Sequence, residues 1–343
     1  MRRRLRLSGW VLVATAALGV LAAGTVAVHA GKRFTLGYSV GFLTDPFQAI
    51  QVNLTMAEAK KEGLRTLPVA NANDDAGKQI SDFHNLIAEG AQGIIVVARD
   101  SDAIVPALDF AASRHVPVVS IDIGPAGGKV AMIVRADNLR MGADACESVG
   151  KALGGKGTVL SLMGDQATIN GRDRTTGFNE CMKAHFPNIK VIQEPTYWQT
   201  DKATAVAQTI VTSTPDLGAI YMQSDSVMLA GVLNVLKSPG KLKPVGAPGH
   251  IYLVSIDGTP LALQDIRAGL LDAAISQPLD LYVKYGLYYL QAAVDGKTFD
   301  TGPTDHDSHI VEYNGNLMDL LPAPVVTKAN AGDPKLWGNN VKS

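Results

Sequence analysis

One short phrase, written twice, constrains this chain more than any other part of it. Val118-Val119-Ser120-Ile121-Asp122 reads as a buried strand that delivers a carboxylate at its end, and Gly124-Pro125 then turns the chain. The same phrase returns as Leu253-Val254-Ser255-Ile256-Asp257, followed by Gly258. β-Branched runs of this kind suit strands covered on both faces, and in parallel α/β sheets ligands lie beyond the carboxyl ends of the strands. Two such Asp termini predict two half-sites.

The surrounding pattern agrees. From Phe34 onward, apolar runs at 33–39, 64–69, 93–98 and 116–121 alternate with helical patterns at 46–62, 76–89 and 102–114. This is the rhythm of a doubly wound parallel sheet. A short strand at 130–135 leads to Ala136-Asp137-Asn138, and the rhythm then restarts through 138–295. The chain reads as α/β, with two similar doubly wound parallel-sheet lobes. The segment after Pro322 has weak periodicity and is expected to lie extended on the surface.

The first thirty residues differ from the rest. Arg2, Arg3, Arg4 and Arg6 precede an uncharged apolar run from Trp10 to Val28, which ends at Val28-His29-Ala30. That is the layout of a secretory signal peptide cleaved after Ala30, and a retained anchor is the alternative. Removing residues 1–30 takes away four Arg and no acid, which leaves 27 Lys+Arg against 32 Asp+Glu, a net charge of −5. A mildly acidic chain without a basic patch argues against nucleic acid as partner. Cys146 and Cys181 fit either one disulfide in an oxidising compartment or two buried thiols. No His or Cys spacing suggests a metal, and no cofactor motif stands out: Gly124 to Lys129 misses the phosphate-loop spacing by one residue.

Gly37-Tyr38-Ser39-Val40-Gly41 matches a nucleophile elbow, with His306 and His309 downstream as bases for an exported hydrolase. The context opposes it, because an elbow follows a sheet already built and leads directly into a helix. No catalytic residue is therefore assigned. Asp45-Pro46-Phe47-Gln48 opens a helix, with Asp45 as N-cap, Pro46 at the first position and Gln48 closing a capping box. The same turn sits at the end of the first strand, where Phe47 can meet a ligand. Arg172, at a helix start, is poorly placed for the helix dipole and invites another task, whereas Arg174 reads as a structural ion pair.

These pieces, taken in order, resemble the periplasmic sugar-binding proteins of type I fold, the ribose-binding group especially. The matching residues are Asp45-Pro46-Phe47, Val118 to Asp122, Ala136-Asp137-Asn138, Gly171-Arg172-Asp173-Arg174 with Gly177-Phe178, Gln223-Ser224-Asp225, Ile256 to Pro260, and Ala274 to Gln277. They span roughly residues 33–315. The resemblance implies a monomeric receptor that takes a small sugar or polyol between its lobes and passes it to the membrane permease of an ABC importer. A receptor that presents ligand to a membrane sensor would use the same cleft.

By the same resemblance, Phe47 and Trp198 sandwich the ligand ring, Asp122 and Asp257 accept from hydroxyls, Arg172 donates, and Gln277 does both. Asp45, Ile123 and Ser224 stand where the ribose pattern has Asn, Arg and Asn. The first two changes make the cleft more negative, which points to a polyol, a differently configured sugar or an amine-bearing ligand. The implied lobes are 31–136 plus 278–308 and 137–277 plus 309–330, with 331–343 as a tail. Three crossovers form the hinge, at Asp137-Asn138, at Pro278 and at Ser308.

Overall fold

Runs such as Gly93–Val97 have no polar face, so a strand made from them must be covered on both sides. The computed structural model describes residues 33–341 and shows how the chain does this; the expected signal segment lies outside the described residues. Strand β1 (Thr35–Val40) leads to helix α1 (Pro46–Lys61), then β2 (Arg65–Thr66), β3 (Ala70–Asn71), α2 (Ala76–Ala88) and β4 (Gly93–Val97). Next come α3 (Val105–Ser113), β5 (Val118–Ile121) and β6 (Met132–Ala136). The strand expected at 64–69 is two short ones, β2 and β3, which pair with β1 in turn. Pro68 lies between them and has no N–H to give the ladder.

The second lobe starts with α4 (Asn138–Ala152) and β7 (Lys156–Met163), then α5 (Ile169–His185), β8 (Asn188–Pro195) and α6 (Thr200–Ser213). It continues with β9 (Leu217–Met222), α7 (Asp225–Lys237), β10 (Tyr252–Asp257), α8 (Pro260–Ala268) and β11 (Ala273–Ser276). Helix α9 (Leu279–Val294) returns to the first lobe and packs on α1, β4 and β5.

The lobe assignment of residues 309–321 differs from expectation. Strands β12 (Gly302–Pro303), β13 (His309–Tyr313) and β14 (Asn316–Leu321) all extend the first sheet, where β14 lies parallel to β6. That pairing covers an edge of β6, a strand buried along its whole length. The first sheet has the order β12-β13-β14-β6-β5-β4-β1-β2, with β3 also on β1. Only then does the chain cross again, through Pro322-Ala323-Pro324, to β15 (Val325–Val326) on the edge of β11. The second sheet has the order β15-β11-β10-β9-β7-β8. The third crossing is therefore at 322–324 and not at Ser308, which sits in a turn of the first sheet and donates to the buried Asp319.

The tail also differs from expectation. Ala331 and Leu336 are buried in the second lobe's core, and a short 3-10 turn, Trp337–Asn339, follows. Cys146 on α4 and Cys181 on α5 are joined, with 6.1 Å between their Cα atoms. The same two helices touch backbone to backbone: a Cβ on Gly177 would lie 2.0 Å from the Leu139 carbonyl oxygen. This close approach fixes the rotation of α5, and with it the side chains that α5 turns toward the other lobe. No helix among the described residues is long and apolar enough to cross a membrane.

Candidate functional site

The carboxyl ends of the parallel strands of both sheets face one another across a narrow cleft. A small cavity, about 20 Å³ in volume, lies there, lined by Phe42, Asp45, Phe47, Gln48, Asp122, Ile123, Asn170, Arg174, Trp198, Ser224, Asp257 and Gln277. Asp122 follows β5 and Asp257 ends β10. Both take positive φ, +58° and +120°, where residues other than glycine are rare. Trp198, in the loop from β8 to α6, does the same at +58°. Backbone strain of this kind costs about 1–3 kcal/mol per residue and gathers at ligand sites. A Cβ on Gly164 would lie 1.8 Å from the Trp198 ring, so the indole rests directly on the backbone after β7.

Asp45 caps α1, and its Oδ1 accepts from the Phe47 N–H at 2.9 Å. The same oxygen accepts from the Ser226 hydroxyl of the second lobe at 2.6 Å. Gln48 does not close the expected capping box. Its amide instead donates to Asp122 Oδ2 at 2.6 Å, while Asn170 of the second lobe donates to Asp122 Oδ1 at 2.8 Å. Asp257 accepts from Ser224 Oγ at 2.6 Å, from Gln277 at 2.7 Å and from the Ser226 N–H at 3.2 Å. Outside the cavity, Arg99 meets Asp165 and Arg135 meets Asp173, each at 2.7 Å across the lobes. The lobes are thus in hydrogen-bonded contact along the cleft.

Among the described residues, Arg174 is the one cation lining the cavity. Its Nε donates to Asn138 at 2.7 Å, its Nη1 donates to the Gln223 carbonyl, and its guanidinium lies 5.6 Å from the centre of the Trp198 ring. It stands 3.9 Å from Asp257. Three carboxylates face this single charge. Burial, then repulsion from Asp257, pushes the Asp45 carboxyl up to about 7. Burial, only partly offset by Arg174, raises Asp122 to about 6 and also raises Asp257. Behind them, Asp225 is pushed up to about 8 by burial and by Asp257, and its carboxylate ties down the Gly258–Thr259 turn.

Eight of the residues expected at the site, namely Asp45, Phe47, Asp122, Ile123, Trp198, Ser224, Asp257 and Gln277, line this cavity. Arg172 does not. It points outward, pairs with the exposed Asp102 at 3.1 Å and donates to the Gln166 carbonyl. The reason is helix phase. Thr168 caps α5, so the helix starts at Ile169, and Asn170 and Arg174, four residues apart, share the face turned to the cleft. Arg172 lies half-way round. Asn170, Arg174, Gln48 and Phe42 were not assigned to the site from sequence, Gln48 being read as part of a capping box and Arg174 as a structural ion pair; the i, i+4 pair of Asn170 and Arg174 was the available signal. Of the hinge residues, Asp137 caps α4, Asn138 donates to the Ala136 carbonyl and accepts from Arg174, and Pro278 leads into α9.

This architecture has relatives. Residues 36–298 match the family described as periplasmic binding protein domain. The chain belongs to the periplasmic binding protein family. It is 29% identical over 266 residues to the ribose import binding protein of Bacillus subtilis, covering 78% of this chain and 83% of that one. It is 28% identical over 278 residues to a xylitol-binding protein of Mycolicibacterium smegmatis, covering 78% and 76%. Among solved structures, the myo-inositol binding protein of Caulobacter superposes with a TM-score of 0.74 at 25% identity, covering 88% of this binding protein and 95% of its own chain.

Proposed function

We propose that this binding protein captures a sugar or polyol between its two lobes and delivers it to the membrane permease of an ABC importer. The observation that carries this reading is the cavity itself, set between strand ends and lined by carboxylates, amides, one Arg and three aromatic rings. Each hydroxyl of a polyol both donates and accepts, and this set of groups answers both needs. Two buried atoms in the lining, Gln48 Oε1 and Trp198 Nε1, lack a hydrogen-bond partner. Buried polar atoms of this kind are costly unless something pairs with them, so they favour a ligand that brings a donor to one and an acceptor to the other.

The balance of the lining narrows the ligand. Acceptors dominate: three carboxylates and Gln48 Oε1 stand against Arg174, Trp198 and the amides. That favours a donor-rich solute, a polyol or an amine-bearing analogue, over ribose. Export to the periplasm by a cleaved signal segment and action as a monomer accompany this reading.

The hydrolase reading loses its nucleophile. Ser39 is buried within β1, its Oγ accepts from Gln79, and Ala70 and Val96 flank it on neighbouring strands. His306 bonds Asp319 on β14, four strands away, or about 19 Å at ordinary strand spacing.

Native mass spectrometry of the freshly purified protein, with a thermal-shift screen of polyols, aldoses and amino sugars, tests the proposal. A bound polyol or amino-polyol mass and a matching rise in melting temperature are expected. Tight ribose binding with no preference for the others would overturn the ligand class. The absence of any binder would overturn the capture function.

A further inference from the structure

Trp337 lies outside the cavity yet touches both of its halves. It is 2% exposed, and its indole N–H donates to the carbonyl of Asp257 at 3.0 Å. Its ring meets Phe47 edge to face, with 5.5 Å between centroids and 89° between planes. Asp257 ends a strand of the second lobe, whereas Phe47 sits on the first helix of the first lobe. One side chain behind the cavity therefore joins a lining residue of each lobe. The family match ends at residue 298, so Trp337 lies outside it while both of its partners lie within.

The tail that carries Trp337 is fixed to the second lobe. Arg267 on α8 donates to the Ala331 carbonyl at 2.9 Å and to the Asn339 side chain at 3.0 Å. A Cβ on Gly338 would lie 2.4 Å from the Gly258 carbonyl oxygen, so the tail runs flat against the Asp257–Gly258 turn. That turn needs holding, because Asp257 has φ of +120°. Its carbonyl accepts from two donors at 3.0 Å each, the Gln277 N–H and the Trp337 indole. Together they fix the peptide plane from which the Asp257 carboxylate projects into the cleft.

We propose that Trp337 is a positioning residue of the ligand site. It aims Asp257 through the peptide carbonyl and braces Phe47 when the lobes meet. The tail is then part of the binding machinery and acts as a strap tied to one lobe and pressed on the other. This inference rests on the cleft being a polyol site. Because the Phe47 contact spans the lobes, its loss should act on ligand release more than on capture.

The test uses the full chain as wild type, Trp337→Phe and Trp337→Ala, with the polyol that binds best in the screen, xylitol and myo-inositol first. Calorimetry and stopped-flow release are read beside the melting temperature of the unliganded protein. Trp337→Phe keeps a ring against Phe47 but loses the donor to Asp257, and about tenfold weaker binding is expected, with faster release. Trp337→Ala should lose more. A merely structural tail would lower the unliganded melting temperature and leave the affinity of the folded fraction alone.

If the Ala variant fails to fold, the Phe variant decides. Wild-type affinity within twofold in a folded Trp337→Phe, with unchanged release, overturns the proposal. If no polyol binds wild type, the capture function falls in that control arm, and this proposal falls with it.

Discussion

The two halves of the cleft are built on the same phrase but are finished differently. The Asp257 carboxylate is satisfied wholly within its own lobe, by Ser224, Ser226 and Gln277, with Arg174 of the same lobe beside it. Asp122 takes one bond from its own lobe, through Gln48, and one from Asn170 across the cleft. Asp45 likewise leans on Ser226 across the cleft. The second lobe thus presents a half-site assembled before the lobes meet, whereas the first lobe's half-site is completed by closure. The bonds that cross the cleft are those a ligand has to replace. The bonds around Asp257 are those it can use as they stand.

The largest effect that would break this comparison lies at Arg174. Arg174→Met keeps most of the side-chain volume and removes the one positive charge lining the cavity. It leaves Asp257 buried without compensation and the Gln223 carbonyl and Asn138 without their donor. Removing one partner of a buried charge system costs about 3–5 kcal/mol, so urea unfolding should show a loss of that order, and calorimetry should show no ligand binding. Stability within about 1 kcal/mol of wild type would mean that the second half-site is not a charge-compensated unit.

Alanine at the two strand-end acids comes next and tests the asymmetry directly. Asp257→Ala strands three donors inside one lobe and should cost about 2–3 kcal/mol in the unliganded protein. Asp122→Ala frees Gln48 and Asn170, which water can reach once the lobes part, so its cost should stay under about 1 kcal/mol. Both should abolish polyol binding. Equal losses of unliganded stability in chemical denaturation would remove the distinction between a finished and an unfinished half-site.

A smaller effect separates the halves by pH. Asp45 has its carboxyl raised from 3.8 to about 7, by burial first and then by Asp257. Between these values the closed protein holds a proton that the unfolded chain has lost, so stability falls as pH rises from about 4 through about 7, and the full penalty stands above that. Asn caps a helix as well as Asp does, so Asp45→Asn removes the penalty and keeps the cap. Melting curves should show the variant more stable than wild type at pH 8 and nearly equal to it at pH 4. A constant difference across that range would show that Asp45 is not desolvated by closure.

Much of this arrangement was legible in the chain, for reasons that also explain the gaps. Parallel strands covered on both faces write themselves as unbroken apolar runs, and the two Asp residues that end them repeat within the same phrase. Short-range signals misled where a distant partner competes. Gln48 fits a capping box three residues from Asp45, yet Asp122, 74 positions away, holds its amide. The third crossing was misplaced because the β13–β14 hairpin shows only weak alternation and its partner strand, β6, lies some 180 residues earlier. Trp337 sits in a tail with no periodicity, and only the fold brings it behind Asp257 and Phe47.

The choice between Arg172 and Arg174 is the sharpest of these cases, and it supplies the smallest predicted effect. Two residues along a helix is about 200° of rotation, so only one of the two can face the cleft. Starting the helix at 172 leaves that phase undetermined; the Thr168 cap sets it, and Gly177 locks it against α4. Arg172 is then left with an exposed partner across the lobe junction, Asp102, and a backbone carbonyl. Surface pairs of this kind contribute about 0–1 kcal/mol. Arg172→Ala should therefore shift unliganded stability by less than about 0.5 kcal/mol and leave polyol affinity within twofold of wild type. A loss of binding comparable to that of Arg174→Met would mean that α5 turns in solution to present Arg172, and the phase argument would fail with it.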